Sequence, residues 1–193
     1  MRPGMEWKPV DPKRLHRSRL RRFRGRGFEP TVRVRYSLRD LAYRFAQRAF
    51  AKQVIGDLVA AERLYLRSID VHPTAEAHTF LGWLYALRDD FLAAIHECER
   101  AIEIDPDLGN PYNDIGTYLI ELGRWDEAIP WLKKALRARR YDAPHYPYLN
   151  LGRVYEHRHE WEKAKWAFQM ALTLAPDFTP AEIALRRMMS RFN

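Results

Sequence analysis

Apolar and polar positions alternate along residues 75–178 with a helical rather than a strand period. Large apolar residues recur at the i, i+3, i+4 and i+7 spacing that places them on one face of a helix. The pattern predicts pairs of helices of about 14 residues each. Short polar turns, such as Asp89-Asp90 and Gly123-Arg124, join the two helices of a pair. The pattern therefore predicts an all-α body made of helical hairpins.

The helix pairs repeat with a period close to 34 residues. Gly82, Gly116 and Gly152 lie 34 and 36 residues apart. The other residues that keep these spacings are Ala94, Ala128, Ala164, Ala101, Ala135, Ala171, Phe91, Trp125 and Trp161. Glycine and alanine fit where two helices approach closely, and the aromatic residues fill the space beside them. Because one hairpin cannot bury its own apolar face, neighbouring hairpins are predicted to stack.

The period divides the chain into segments. They are a degenerate first repeat at 37–74, regular repeats at 75–108, 109–144 and 145–178, and a capping helix at 179–193. Ser37 and Asp40 form a capping-box pattern at the start of the first repeat. Thr179 is predicted to cap the last helix, with Pro180 in its first position. Arg140 stands where the third repeat should have its closing proline, and two extra residues follow.

Residues 37–193 resemble the tetratricopeptide repeat (TPR) family in their period and in their pattern of small and large residues. The segments LGWLY, IGTYL and LGRVY resemble the first helix of that repeat, and FLAAIHECERAIEIDP and WEKAKWAFQMALTLAP resemble the second. The resemblance implies a helical-hairpin solenoid whose first helices line a concave groove. It also implies a non-catalytic module that binds protein partners, without naming the partner.

The resemblance also implies which side chains face the groove. These partner-binding candidates are Thr79, Trp83, Leu87, Asn113, Thr117, Glu121, Asn150, Arg153 and His157. Trp83 either anchors a bound peptide or packs against the first repeat or the N-terminal residues. Some TPR proteins bind a C-terminal carboxylate with Lys, Asn and Arg. Here either Ala46 and Phe50 or Thr79 and Trp83 stand where a Lys and an Asn would be expected. Of the asparagine ladder found in another subgroup, Asn150 alone is at the matching position.

Positive charge is concentrated in residues 1–36, here called the N-terminal arm. The arm holds 12 Lys/Arg and three Asp/Glu, so it carries +9 while the rest of the chain carries −1. The arginines predicted to contact an anionic surface are Arg14, Arg17, Arg19, Arg21, Arg22, Arg24, Arg26, Arg33 and Arg35. Arginine binds phosphate and carboxylate through paired donors, and Leu20, Phe23 and Phe28 are interleaved with these arginines. RNA, anionic lipid headgroups and an acidic protein face all fit this composition.

Catalytic chemistry is not indicated anywhere in the chain. There is no glycine-rich phosphate loop and no nucleophile-elbow motif, so no enzyme activity, cofactor or small-molecule substrate is expected. His157 and His159 are two residues apart on a predicted turn without further ligands at zinc-like spacing, so no metal is expected either. Cys98 is the single cysteine and is expected to be buried at a helix contact. Without an apolar segment of transmembrane length or a secretory signal, a cytoplasmic location is expected, including a peripheral place on a large complex or membrane face.

Three functions fit this sequence. The first is a protein–protein interaction module, an accessory or scaffold subunit of a larger complex, whose repeats dock a protein and whose arm binds an anionic surface. The alternative is an RNA- or ribosome-associated protein held by the arm, whose affinity would fall steeply with salt. A second alternative is a peripheral membrane adaptor attached through the arm.

Overall fold

The protein folds into stacked helices. The structure, a computed structural model, describes residues 37–191 and has nine α-helices in that range. They are α1 (Leu38–Val54), α2 (Leu58–Val71), α3 (Ala75–Ala86), α4 (Phe91–Ile104), α5 (Asn110–Glu121), α6 (Trp125–Ala135), α7 (His145–His157), α8 (Trp161–Leu174) and α9 (Thr179–Met189). The first eight helices form four hairpins whose limits follow the sequence period, and α9 follows the last. The all-α solenoid prediction is confirmed.

The contacts between helices show which way the stack curves. Within each hairpin the two helices pack along their length, and the second helix of a hairpin packs on the first helix of the next. The first helices α1, α3, α5, α7 and α9 also contact one another in succession. Among residues 37–191 the second helices α2, α4, α6 and α8 make no such contacts with one another. The first helices therefore line the inner, concave side of the curve.

Small residues allow the helices of each hairpin to approach. A Cβ atom placed on Gly82 would lie 2.9 Å from the carbonyl oxygen of Ala94, and one on Gly152 would lie 2.3 Å from Cε1 of Phe168. Ala94 and Phe168 are fully buried on the facing helices. The recurring glycines seen in the sequence are thus explained by close helix packing.

Helix starts agree with the sequence at one end of the stack and differ at the other. Ser37 caps α1, and the reciprocal bond from its backbone to Asp40 completes the predicted capping box. The prediction that Thr179 caps the last helix is wrong, because Thr179 is already helical and Phe178 is the cap residue. The hydroxyl of Thr179 instead faces the carbonyl of Asp177, at 3.5 Å.

The irregular loop after α6 joins two repeat boundaries. The backbone of Arg140 donates to Asp107 and accepts from Gly109, so this loop lies against the preceding loop. The Arg140 guanidinium binds Asp105 in that loop and Glu76 on α3, with its Nη2 at 3.0 Å from Glu76 Oε1. The residue that replaces the expected proline is therefore an ionic clamp between repeats.

The predicted arm, with the nine arginines predicted to contact an anionic surface, lies outside the described residues. Within residues 37–191, every helix is too short or too polar to cross a lipid bilayer.

Candidate functional site

The inner face of the stack carries the side chains that the sequence placed in a groove. They fall into two classes by exposure. Thr79, Asn113, Thr117 and Asn150 are buried, Trp83 and Arg153 are half-buried, and Leu87, Glu121 and His157 are exposed. The exposed and half-buried members can meet a ligand directly, whereas the buried members act on the shape of the surface.

The buried polar members form a hydrogen-bonded floor between α5 and α7. Asn150 Nδ2 donates to Asn113 Oδ1 at 3.2 Å and to Thr117 Oγ1 at 3.0 Å. Thr117 Oγ1 in turn donates to the Asn113 carbonyl at 2.9 Å. These three residues are 5%, 8% and 4% exposed, and both amide hydrogens of Asn150 are used. The floor therefore fixes the register of two repeats and offers Asn150 little capacity to bind a peptide backbone.

An ion pair lies directly beside this floor, on the accessible surface. Arg153 Nη2 lies 3.0 Å from Glu121 Oε1, and the two side chains are about equally exposed, 34% and 36%. Arg153 Nη1 also reaches Asn150 Oδ1 at 3.4 Å. The pair thus joins α5 to α7 and presents a cation and an anion to a ligand at the polar end of the groove.

The other end of the groove is apolar. The rings of Trp83 on α3 and Phe50 on α1 are 6.2 Å apart at 41°. Trp83 therefore packs against the first repeat, as one of its two interpretations expects, while part of its indole stays accessible. Leu87, which follows the last residue of α3, is 48% exposed. A role of Trp83 and Leu87 in binding stays a prediction.

The side chains of two candidate residues, Thr79 and His157, make contacts within the protein itself. The Thr79 hydroxyl donates to the Ala75 carbonyl at 2.7 Å, within the same helix. The His157 ring stacks on Trp125, with ring centres 4.2 Å apart and planes 8° from parallel. His157 therefore holds the turn of its own hairpin against α6. It remains exposed at the rim.

One acidic residue of this region is buried. Glu156 directly precedes His157 of the predicted turn, yet it is 7% exposed at the end of α7. Its Oε2 accepts a hydrogen bond from Arg187 of α9 at 2.6 Å, and Arg191 lies 3.9 Å from Oε1. Arg187 of α9 and Arg191, which follows that helix, thus contact the preceding repeat.

Two further titratable groups, Cys98 and Asp114, lie inside the packed core. Cys98 is fully buried on α4 as predicted, and burial, with a smaller contribution from Asp114, raises the pKa of its thiol well above the ordinary value. Asp114 is 2% exposed and accepts from Asn113 Nδ2 at 3.3 Å. Its carboxylate is thus held below the groove surface. Both groups belong to the packing of the third repeat with the second.

Comparison with known proteins agrees with this architecture. Two tetratricopeptide repeat models match residues 46–108 and 107–177. Tetratricopeptide repeat protein 29 of Macaca fascicularis is 27% identical over 143 residues, which cover 69% of this chain and 30% of that protein. This chain thus spans less than a third of that relative's length.

Solved structures share the fold. The structure of PilF from Pseudomonas aeruginosa superposes with a TM-score of 0.73 at 22% identity, over 79% of this chain and 70% of that one. YrrB, described as a TPR protein with an unusual peptide-binding site, superposes with a TM-score of 0.60 at 17% identity, over 78% of this chain and 77% of that one. With its repeat period, its stacked hairpins and these matches, the chain belongs to the tetratricopeptide repeat family.

Proposed function

We propose that the concave surface of this protein binds an extended segment of a partner protein, and that the protein is a non-catalytic docking subunit. The proposal rests on one observation. The inner face presents an accessible apolar end at Trp83 and an accessible charged end at Arg153 and Glu121, on different helices. Proteins of this fold mediate protein–protein interactions, and YrrB is described by its peptide-binding site. Both facts support the proposal.

The spacing of the two ends suits a short extended peptide. Trp83 is on α3 and Arg153 is on α7, with α5 between them. Neighbouring packed helices lie about 8–10 Å apart, so the two ends are about 16–20 Å apart. An extended chain covers about 3.3 Å per residue, so about six residues span this distance.

The chemistry of the two ends predicts the peptide's composition. A large apolar side chain would lie on Trp83 and Leu87, because buried apolar contacts supply most of the energy of such interfaces. A charged side chain near the other end would pair with either Arg153 or Glu121. Because Arg153 and Glu121 already neutralise each other, that end selects orientation more than it adds affinity.

A peptide-display selection against the full chain tests the proposal, followed by affinity measurements on the selected peptides. We expect Trp83→Ala to weaken binding at least tenfold, which corresponds to about 1.4 kcal/mol. Trp166→Ala is the matched control, because Trp166 is 50% exposed on α8, a second helix away from the groove. Equal effects of the two substitutions, or no selectable peptide, would refute the groove.

A second proposal concerns the arm, which we infer binds an anionic surface. It is supported by the charge distribution, +9 in residues 1–36 against −1 in the rest. Deleting the arm is expected to abolish salt-sensitive binding to whichever surface it uses. Nuclease treatment of purified complexes and flotation with anionic vesicles distinguish RNA and lipid from an acidic protein. Equal recovery of partners with and without the arm would contradict this proposal.

A further inference from the structure

A second basic surface lies on the folded repeats, at the end of α6 and in the loop after it. Residues 131–140 contain five Lys/Arg and no Asp/Glu. Arg140 is held by Glu76 and Asp105. The other four cations are all exposed; we call them the basic patch, and they are Lys133, Lys134, Arg137 and Arg139.

The basic patch places four exposed cations within seven residues of sequence, from Lys133 to Arg139. Within residues 37–191, no carboxylate lies within salt-bridge distance of its four cations. Some exposed cations elsewhere are paired locally, as in Arg100 with Glu103, Arg124 with Glu127 and Arg186 with Glu182. Other exposed cations without an ion pair among the described residues, such as Arg39, Arg48, Arg63 and Arg67, are spread over α1 and α2.

The arrangement is unfavourable for the isolated protein. Lys133 and Lys134 lie in the last turn of α6, which ends at Ala135, and Arg137 and Arg139 follow in the loop, so four like charges lie within seven residues. The helix dipole favours cations in the last turn, which accounts for Lys133 and Lys134 but weakens beyond it. An anionic ligand would relieve the remaining repulsion.

The surroundings of the patch favour a ligand bound by charge. No large apolar side chain is exposed between residues 125 and 140. Trp131 is half-buried beside Tyr112, with the ring centres 6.2 Å apart, and Lys134 Nζ lies 4.3 Å above its ring. Protein interfaces depend on apolar or aromatic anchors, and here the face of the half-buried Trp131 ring is covered by Lys134. Phosphate contacts need only cations and donors, and arginine suits them well.

We propose that the basic patch binds the phosphate backbone of a nucleic acid without reading its base sequence. The inference is independent of the groove, because the patch lies on a second helix and its loop. The four cations contact successive phosphates along one strand and release their counterions. For single strands, each neutralised phosphate contributes about 0.7 to the slope of log affinity against log salt. Four contacts therefore contribute about 2.8.

The test measures binding of the full chain to a labelled oligouridylate of about 16 nucleotides, by fluorescence anisotropy over a series of salt concentrations. The patch variant is K133Q/K134Q/R137Q/R139Q. The control, R100Q/R124Q/K163Q/R186Q, removes the same formal charge from cations that have acidic partners. We expect the patch variant to lower the slope by about 3, and the control to lower it by less than 1. Thermal unfolding of both variants checks that each is folded.

Three results would overturn the inference. They are absence of salt-sensitive binding by the full chain, equal slopes for the patch variant and the unmodified protein, and equal loss in the two variants. Polyglutamate is the competing probe. Polyglutamate would displace the oligouridylate at an equal concentration of charge if the patch bound an acidic protein instead. The patch variant would then lose affinity for both polyanions equally.

Discussion

The hydrogen-bonded floor of the groove makes a specific prediction about Asn150. Replacing Asn150 by Ala removes both donors that reach Asn113 Oδ1 and Thr117 Oγ1. The Thr117 hydroxyl still donates to the backbone, but the Asn113 oxygen loses the donor supplied by Asn150 in a site that is 8% exposed. A buried acceptor left without a partner costs about 1–3 kcal/mol, and the second lost bond adds about 0.5–1.5 kcal/mol.

The expected loss of unfolding free energy for Asn150→Ala is therefore about 1.5–4.5 kcal/mol. For a chain of this length that corresponds to a Tm lower by about 3–18 °C. Urea unfolding followed by far-UV circular dichroism measures the free energy, and thermal unfolding measures the Tm. Asn110→Ala is the matched control, because Asn110 is the partly exposed first residue of α5, whose side chain makes no hydrogen bond among the described residues. Equal losses in the two variants, or a loss below about 0.5 kcal/mol for Asn150→Ala, would refute the role of the floor.

Three further predictions concern packing and reactivity. Because burial raises the pKa of the Cys98 thiol, a thiol reagent should label Cys98 only as fast as the protein unfolds; rapid labelling of native protein contradicts this. Gly152→Ala should lower stability by about 1–2 kcal/mol in urea unfolding, since the clash with Phe168 outweighs the helix propensity gained; an unchanged midpoint contradicts close packing there. Arg187→Met should cost about 1–3 kcal/mol by leaving the Glu156 carboxylate poorly paired, and adding Glu156→Gln should recover part of it.

The helices and their order could be predicted from the sequence because the same pattern of small and large residues recurs in each repeat. Gly82, Gly116 and Gly152 mark the close approach of paired helices, and the structure places a facing atom against each. The capping box at Ser37 is likewise a local pattern with a local outcome. Thr179 shows the limit of such reasoning, since a shift of one residue moves a hydroxyl from outside the helix into its first turn.

The parts of the site that sequence reasoning missed depend on contacts between distant residues. Arg140 lies 64 positions from Glu76, and its departure from the repeat pattern did not reveal the clamp it forms. Glu156 became buried because α9 folds back and supplies Arg187. Asn150 was recognised as a ladder position, but its partners Asn113 and Thr117 emerge only when α5 and α7 are placed side by side. These contacts carry no local sequence pattern.

The three binding proposals rest on different parts of the chain. The groove proposal rests on the inner helices, the arm proposal on the composition of residues 1–36, and the basic patch on the outer surface of the third repeat. A different substitution or deletion removes each proposed binding site, so the failure of one proposal leaves the other two testable. A protein that docks a peptide on its inner face and a polyanion on its outer face would bring the two together.

The central claim is that the first helices form a peptide-binding surface. Amide chemical-shift mapping of the isotope-labelled full chain, titrated with a selected peptide, tests it most directly. We expect the largest shifts at Trp83 in α3, at Leu87 directly after it, at Glu121 in α5 and at Arg153 in α7. Shifts confined to the second helices α4, α6 and α8 would contradict it.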